Sequence, residues 1–444
     1  MLKTFRLGGI HPKENKLSAG QSIQSIDLPA QVSIPLIQHI GAPCQPIVKR
    51  GDKVKVGTQI GKTVGFVSTN IHSSVSGTVF KLDKVMDSSG YKRDAVIIKV
   101  EGDEWEETID RSDTLVKECN LTSKEIIDKI LDAGIVGMGG ATFPTHIKLM
   151  PPPGTKAEVL IINGVECEPY LTSDHQLMME KTEEILVGTS ILMKAINVNR
   201  AVIGIENNKK DAIKKFTKAV KDFPGISVEA LKVQYPQGGE KQLIDAVIRR
   251  QVPSGALPIS VGAVVQNVGT AFAVYEAVQK NKPLIERIVT VTGKDVAKPC
   301  NVLARVGIPL TSLIDFAGGL PETTGKVVSG GPMMGKAIGS TDIPVTKGTS
   351  GVLIIPTLES RRNTMRDCIR CSKCVNVCPM GLNPTQLMNL TEYEVWDKAE
   401  ANRITDCIEC GSCSYVCPAD RPLLDYIRLG KSRVTKIIRE RKEA

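Results

Sequence analysis

Aromatic residues are scarce in this sequence, at 4% of 444 residues, so aliphatic side chains must fill whatever core it builds. No run of about 18 uninterrupted apolar residues occurs, which argues against a transmembrane helix of its own. The opening residues, Met1 to Arg6, lack the apolar stretch of a secretory signal, so a cytoplasmic, soluble chain is expected. No nucleic-acid-binding motif accompanies the net charge of +9, and nucleic acid is not an expected partner. Without a secretory signal, a disulfide framework is not expected for the twelve cysteines. Metal ligation is the natural alternative.

Eight of those cysteines crowd into the last fifth of the chain. Cys368, Cys371, Cys374 and Cys378 form C-x2-C-x2-C-x3-C, followed by Pro379. Cys407, Cys410, Cys413 and Cys417 repeat the spacing, followed by Pro418. Structural zinc sites use separated C-x2-C pairs, whereas three closely spaced thiolates can reach three corners of one iron–sulfur cube. In bacterial two-cluster ferredoxins the fourth cysteine of each run ligates the other cluster. On that pattern Cys368, Cys371, Cys374 and Cys417 hold one [4Fe–4S] cluster. Cys407, Cys410, Cys413 and Cys378 hold the second. Cys44, Cys119, Cys167 and Cys300 are scattered and read as ordinary buried or loop residues.

The length suits several domains. Residues 1–115 form a β-rich domain, in which short valine- and isoleucine-rich runs are punctuated by Gly51, Gly57, Gly61 and Gly77. It resembles the hammerhead fold of biotinyl and lipoyl carrier domains. The tip around Phe66-Val67-Ser68 has no lysine to modify, so a structural or interaction role is expected. Residues 116–284 alternate helix and strand. A capping box at Thr122 and Glu125 opens the first helix. Strands are expected at 157–163, 201–205, 227–234 and 263–266. Helices are expected at 173–195, 209–222, after Gly239, and at 270–279. The alternation predicts an open parallel sheet covered on both faces. Residues 285–358 are again β-rich, 359–422 carry the cysteines, and 423–444 form a basic helix. That helix reads as a solvated element packed on its own protein, with contact to anionic lipid or an acidic partner as the alternative.

A side-chain-poor run, Gly134 to Pro144, lets backbone N–H groups approach a phosphate or a flat ring. Alone it reads as a structural turn. Three further loops follow strand ends: Asn163 to Pro169, Gly238 to Lys241, and Gln266 to Thr270. Their convergence on one edge of an α/β sheet favours a nucleotide site. A flavin would convert the two electrons of NADH into the single electrons that clusters carry.

Several motifs resemble the C subunit of the Rnf complex, a membrane-associated ferredoxin–NAD oxidoreductase that pumps sodium ions or protons. They include Gly8-Gly9-Ile10-His11-Pro12, Gln38 to Pro43 and His72 to Gly77. Glu166-Cys167-Glu168-Pro169-Tyr170, Tyr235 to Lys241, Gly330 to Gly335 and the paired cysteine runs complete the set. The central domain is also similar to the flavin- and NADH-binding subunit of respiratory complex I. This second resemblance implies non-covalent FMN, with NADH over it, on Gly137, Gly139, Gly140, Phe143, Lys148, Asn163, Glu166, Glu168, Gly239, Glu240, Lys241 and Asn267. Lys148 and Asn163 would bind flavin phosphate or ring atoms, and Glu166 and Glu240 would line the nicotinamide side. Met138, Thr142, Val165 and Lys241 depart from that pattern. The stretch after residue 285 resembles the ubiquitin-like SLBB β-grasp domain of the same relatives.

The implied function is that of a peripheral electron-transfer subunit on the cytoplasmic side of the membrane. Its partners would be an iron–sulfur subunit, integral membrane subunits that move Na+ or H+, NAD(H), and ferredoxin indirectly. Two other functions fit the same domain plan: an NADH-dependent cobalamin reductase of propanediol-utilising microcompartments, and a non-catalytic electron wire or docking subunit.

Overall fold

The computed structural model describes residues 2–443. At its centre lies a four-stranded parallel sheet in the order Ile226–Leu231, Ala201–Glu206, Val159–Gly164, Ala263–Asn267. The strands read as near-continuous aliphatic runs because both faces are buried. One face packs Leu160, Ile162 and Ile203 against Ile185, Leu192 and Val274 of covering helices. The other packs Ile161, Val202 and Val265 against Leu243 and Val247. The first helix, Ser123–Asp132, starts at Thr122 with both halves of the capping box made. The expected helix over 173–195 is two helices, Ser173–Glu180 and Thr182–Ala195. Lys181 leaves helical geometry between them, and the Thr182 hydroxyl donates to Met178 O at 2.6 Å. A hydroxyl bonded back to the preceding turn competes with the helical ladder.

The N-terminal region holds two antiparallel sheets, one of four strands and one of three, built from Gln31–Pro35 through Lys92–Val100. Its core is continuous with that of a six-stranded mixed sheet formed mainly by residues 286–356. That second sheet borrows its edge strand, Ile23–Ser25, from the N-terminal region, paired in parallel with Cys300–Arg305. Residues 2–16 leave their own region altogether. Lys3 bridges to Leu231 and Ile10 to Tyr235, extending toward the central sheet.

The basic C-terminal helix, Leu423–Glu443, packs on its own domain. Leu423, Ile427 and Val434 share one core with Cys374, Cys378 and Cys413. Arg428 and Lys431 pair with Glu409, and Arg441 pairs with Asp397 and Glu400. The same core residues place the helix inside the cysteine domain.

The N-terminal region carries an acid-sensitive group near Lys347. Burial, then the Lys347 ammonium, hold the His72 ring down at about 3, and its Nδ1 is buried without a partner. The unfolded chain takes up this proton near 6.5, so stability is present above that pH and is lost as pH falls toward 3. Allowing for the ring's partial exposure, His72 accounts for roughly 1–2 kcal/mol between pH 7 and pH 5. Between pH 7 and pH 5 the wild-type thermal midpoint is therefore expected to shift downward relative to that of His72→Asn, as measured by calorimetry of the two chains.

Candidate cofactor and cluster sites

The loops leaving the C-terminal edge of the parallel sheet meet one another. The glycine run folds back on itself, with Gly137 N donating to Phe143 O at 2.8 Å. Met138 N donates to the Thr270 hydroxyl at 2.9 Å, tying the run to the start of the helix Val268–Lys280. Gly139 has φ +73°, and a Cβ there would lie 2.8 Å from Asn267 Nδ2. No other residue type fits that position without displacing Asn267. Gly140 faces open space. Lys148 Nζ donates to Glu240 Oε1 at 2.7 Å and Val265 O at 3.3 Å. Asn163 Nδ2 donates to Gly238 O at 2.9 Å. Asn267 caps its helix by accepting from Gly269 N at 2.7 Å, and its amide donates to Asp174 Oδ2 at 2.7 Å.

Gly139, Lys148, Asn163, Gly239, Glu240 and Asn267 therefore belong to one connected surface. It has the parts a flavin phosphate needs: a cation, amide groups, helix N-termini, and a stretch bare of side chains. Phe143 lies beside it through its backbone. Three other expected residues are directed elsewhere. The Glu166 carboxylate accepts from Asp174 N at 2.7 Å and His175 N at 3.1 Å, capping the helix Ser173–Glu180. Glu168 accepts from Met333 N at 3.1 Å and Met334 N at 2.8 Å, stapling the central domain to the loop Gly330–Gly335. Burial pushes the Glu168 carboxyl up to about 7. Lys241 Nζ points outward, to Pro253 O at 3.5 Å.

Residues that the sequence did not single out complete the surroundings. Arg287 is buried beside the glycine run, with Nη1 2.9 Å from Met138 Sδ and Nε donating to Thr349 O at 3.2 Å. Desolvation, then the Glu166 carboxylate, raise the Asp174 carboxyl, while Arg287 opposes the rise. Lys16 reaches in from the N-terminal segment and donates to the carbonyls of Glu166, Glu168 and Leu171. The Gly8 to Pro12 motif a few residues earlier was its nearest sequence signal.

The eight C-terminal cysteines fall into two sets. Cys368, Cys371, Cys374 and Cys417 line one open cavity of about 400 Å3. Cys378, Cys407, Cys410 and Cys413 line a second, narrower one. Among the described residues, no three His, Cys, Asp or Glu side chains converge on a point suited to a single ion. Instead, each set of four rings a hollow. Both loops repeat one backbone trace: Arg370 and Ser372 in the first, and Glu409 and Gly411 in the second, adopt left-handed conformations. Turns of this kind aim successive N–H groups at one point, an arrangement that favours an anionic occupant. Glu409 N lies 3.4 Å from Cys407 Sγ, and Leu382 N 3.4 Å from Cys378 Sγ. Burial pushes the Cys407 thiol up to about 11 and Cys413 up to about 12. Such thiols become ligands when a cation displaces their protons. The donor set fits iron–sulfur clusters, whose potentials respond to hydrogen bonds at sulfur and to exposure. The sets differ in exposure: Cys368 and Cys371 are open to solvent, whereas Cys378, Cys410 and Cys413 are buried.

Four family models match consecutive parts of the chain. They are the RnfC barrel sandwich hybrid domain at 3–103, the Nuo51 FMN-binding domain at 130–276, the SLBB domain at 288–337 and a 4Fe-4S dicluster domain at 361–419. Among curated relatives, the C subunit of the proton-translocating ferredoxin:NAD(+) oxidoreductase complex of Clostridium ljungdahlii is 46% identical over 437 residues, covering 97% of this chain and 94% of that one. Its counterpart in the Na(+)-translocating complex of Acetobacterium woodii is 45% identical over 436 residues, covering 97% of each. Among solved structures, a chain of NAD+-reducing [NiFe]-hydrogenase has a TM-score of 0.49 at 19% identity, over 70% of this chain and 63% of that one. At 45–46% identity over nearly the whole length, the chain belongs to the family of C subunits of ion-translocating ferredoxin:NAD(+) oxidoreductase (Rnf) complexes.

Proposed function

We infer that this chain is the NAD-side electron-transfer subunit of such a complex, passing electrons between two [4Fe–4S] clusters, FMN and NAD(H). The observation that carries this is the meeting, in one body, of the flavin-type loops with the buried cysteine set. Gly238 accepts from Asn163, and Tyr235, three residues earlier, donates to Cys410 O. Lys148, Asn163 and Asn267 would hold the flavin, with Gly139 and Gly140 leaving room for it. Glu240 fixes the Lys148 ammonium, and the Glu166 cap keeps the Asn163–Pro169 loop in place. FMN bound there would supply the exchange between hydride and single electrons. The cysteine loops hold the one-electron carriers and, by burial, exclude water from the inner one.

Among the described residues, no helix is long and apolar enough to cross a membrane. Movement of Na+ or H+ is therefore assigned to membrane-embedded partners, with this chain docked peripherally on the cytoplasmic side. The open Cys368–Cys371 edge is the natural entry for electrons from an iron–sulfur partner and, through it, from ferredoxin. The names of the two relatives given above, both of ion-translocating complexes, favour this over a cobalamin reductase.

Anaerobic purification followed by metal, sulfide and flavin analysis and NADH titration tests it. The expected result is about eight irons with matching sulfide, bound FMN, and NADH-dependent bleaching. Zinc in place of iron, or no flavin and no NADH response after reconstitution, would overturn it.

A further inference from the structure

The inner cysteine set is gripped from outside its own domain. Tyr235 is buried, and its hydroxyl donates to Cys410 O at 2.7 Å. Its backbone pairs in both directions with Ile10, at 2.8 and 2.9 Å. Next to Ile10, Gly9 N donates to Val377 O at 2.9 Å, and Gly8 O accepts from Gln234 Nε2 at 2.8 Å. A Cβ at Gly8, whose φ is +70°, would lie 2.7 Å from Cys378 C and O. The N-terminal Gly8–Ile10 segment is thus wedged between a ligand peptide of the inner set and the Gln234–Gly239 loop. At its far end that loop is fixed by Gly238 N to Cys167 Sγ at 3.3 Å and by Asn163 Nδ2 to Gly238 O. Ile10, Tyr235 and Cys410 form one buried apolar cluster, with Met333, Val377 and Val416 packed on it.

We propose that Tyr235, backed by the Gly8–Ile10 segment, is the positioning residue that holds the cluster of Cys378, Cys407, Cys410 and Cys413 against the flavin loops, making that cluster the one that exchanges electrons with the flavin side. This rests on the cysteines being cluster ligands. A ring alone would fill the space. The hydroxyl is needed only if the Cys410 peptide must be held in one orientation, because a buried carbonyl left unpaired in a dry interface is unfavourable. The donated hydrogen bond also draws negative charge from the ligand peptide, which favours the reduced cluster. At Gly8 any side chain would push the Cys378 peptide away.

The experiment uses the full chain reconstituted anaerobically, as Tyr235→Phe and Gly8→Ala, with iron, sulfide and FMN counted. Potentials are followed by electron paramagnetic resonance, and cluster reduction after rapid mixing with NADH is compared with flavin reduction in the same chain. A Cys417→Ser chain identifies the inner signal. In Tyr235→Phe the inner cluster becomes harder to reduce by up to about tenfold in equilibrium, about 59 mV for one electron. In both variants its reduction slows about tenfold relative to flavin reduction, within the penalty for ångström-scale misplacement. Loss of the inner irons alone in Tyr235→Phe, with the outer irons and FMN retained, also supports the proposal. Full cofactor content with unchanged inner potential and rate overturns it, as does a shift confined to the outer cluster. Should Tyr235→Phe fail to fold, Gly8→Ala decides by the same rate ratio. A wild-type chain without clusters would instead overturn the ligand assignment on which the proposal rests.

Discussion

Cys417→Ser is expected to leave about four irons in the chain instead of about eight, and the irons lost are those of Cys368, Cys371 and Cys374. The cavity linings demand this result. Cys417 shares its hollow with the earlier run, and not with Cys407, Cys410 and Cys413 beside it in sequence. Cys378→Ser gives the converse, emptying the buried site. The functional effects differ accordingly. Without the outer cluster, NADH still bleaches the flavin and reduces the inner cluster, but delivery to a docked acceptor fails. Without the inner cluster, the outer one is cut off from NADH. Iron analysis with spectroscopy of each variant under NADH checks both, and retention of the outer signal in Cys417→Ser would sink the exchange of fourth ligands.

The second large effect is on flavin binding. Lys148→Ala is expected to weaken FMN affinity about tenfold to a hundredfold, from loss of a charge-assisted hydrogen bond of about 1.5–3 kcal/mol. The Lys148 ammonium is anchored by Glu240 at 2.7 Å at the edge of the glycine cradle. Removing it also leaves the Glu240 carboxylate to repel a phosphate. Lys241→Ala should produce a smaller change, because that amine faces the Pro253 carbonyl on the outer surface. Fluorescence titration of the flavin-free chain measures both. Equal losses in the two variants, or none in Lys148→Ala, would show that the phosphate lies elsewhere.

Much of this is legible in the residues themselves. The cysteine spacing encodes its own geometry, since loop and ligand are the same dozen residues. The parallel sheet is legible because two buried faces leave an aliphatic run at each strand, and Thr122 announces its helix through Glu125 three residues on. What stays hidden depends on partners far away in the chain. Glu166 and Glu168 both stand among the residues expected on the cofactor loops, yet one caps the helix Ser173–Glu180 and the other grips Met333 and Met334. Only tertiary placement tells them apart. Arg287 carries no local signal: it sits beside Glu286 at the start of the strand Glu286–Thr292, and its partners Met138 and Thr349 are far away in the chain. The break at Lys181 is invisible to periodicity, which continues across it while the helical backbone does not. The N-terminal glycine motif shows no role in sequence, since its contacts lie at Tyr235 and Val377.

That segment has a consequence for biosynthesis. Gly9 leaves the ribosome hundreds of residues ahead of Val377, the carbonyl it binds. At about 5–20 residues per second the nascent segment waits many seconds with Gly9 unpaired. The central sheet can form meanwhile and receive Lys3 and Ile10, but the last seam closes only after the C-terminal domain has emerged. Cluster insertion and chain closure are thus tied to the end of translation, and a stalled or truncated chain exposes Ile10, Tyr235 and the side of the sheet that they cover.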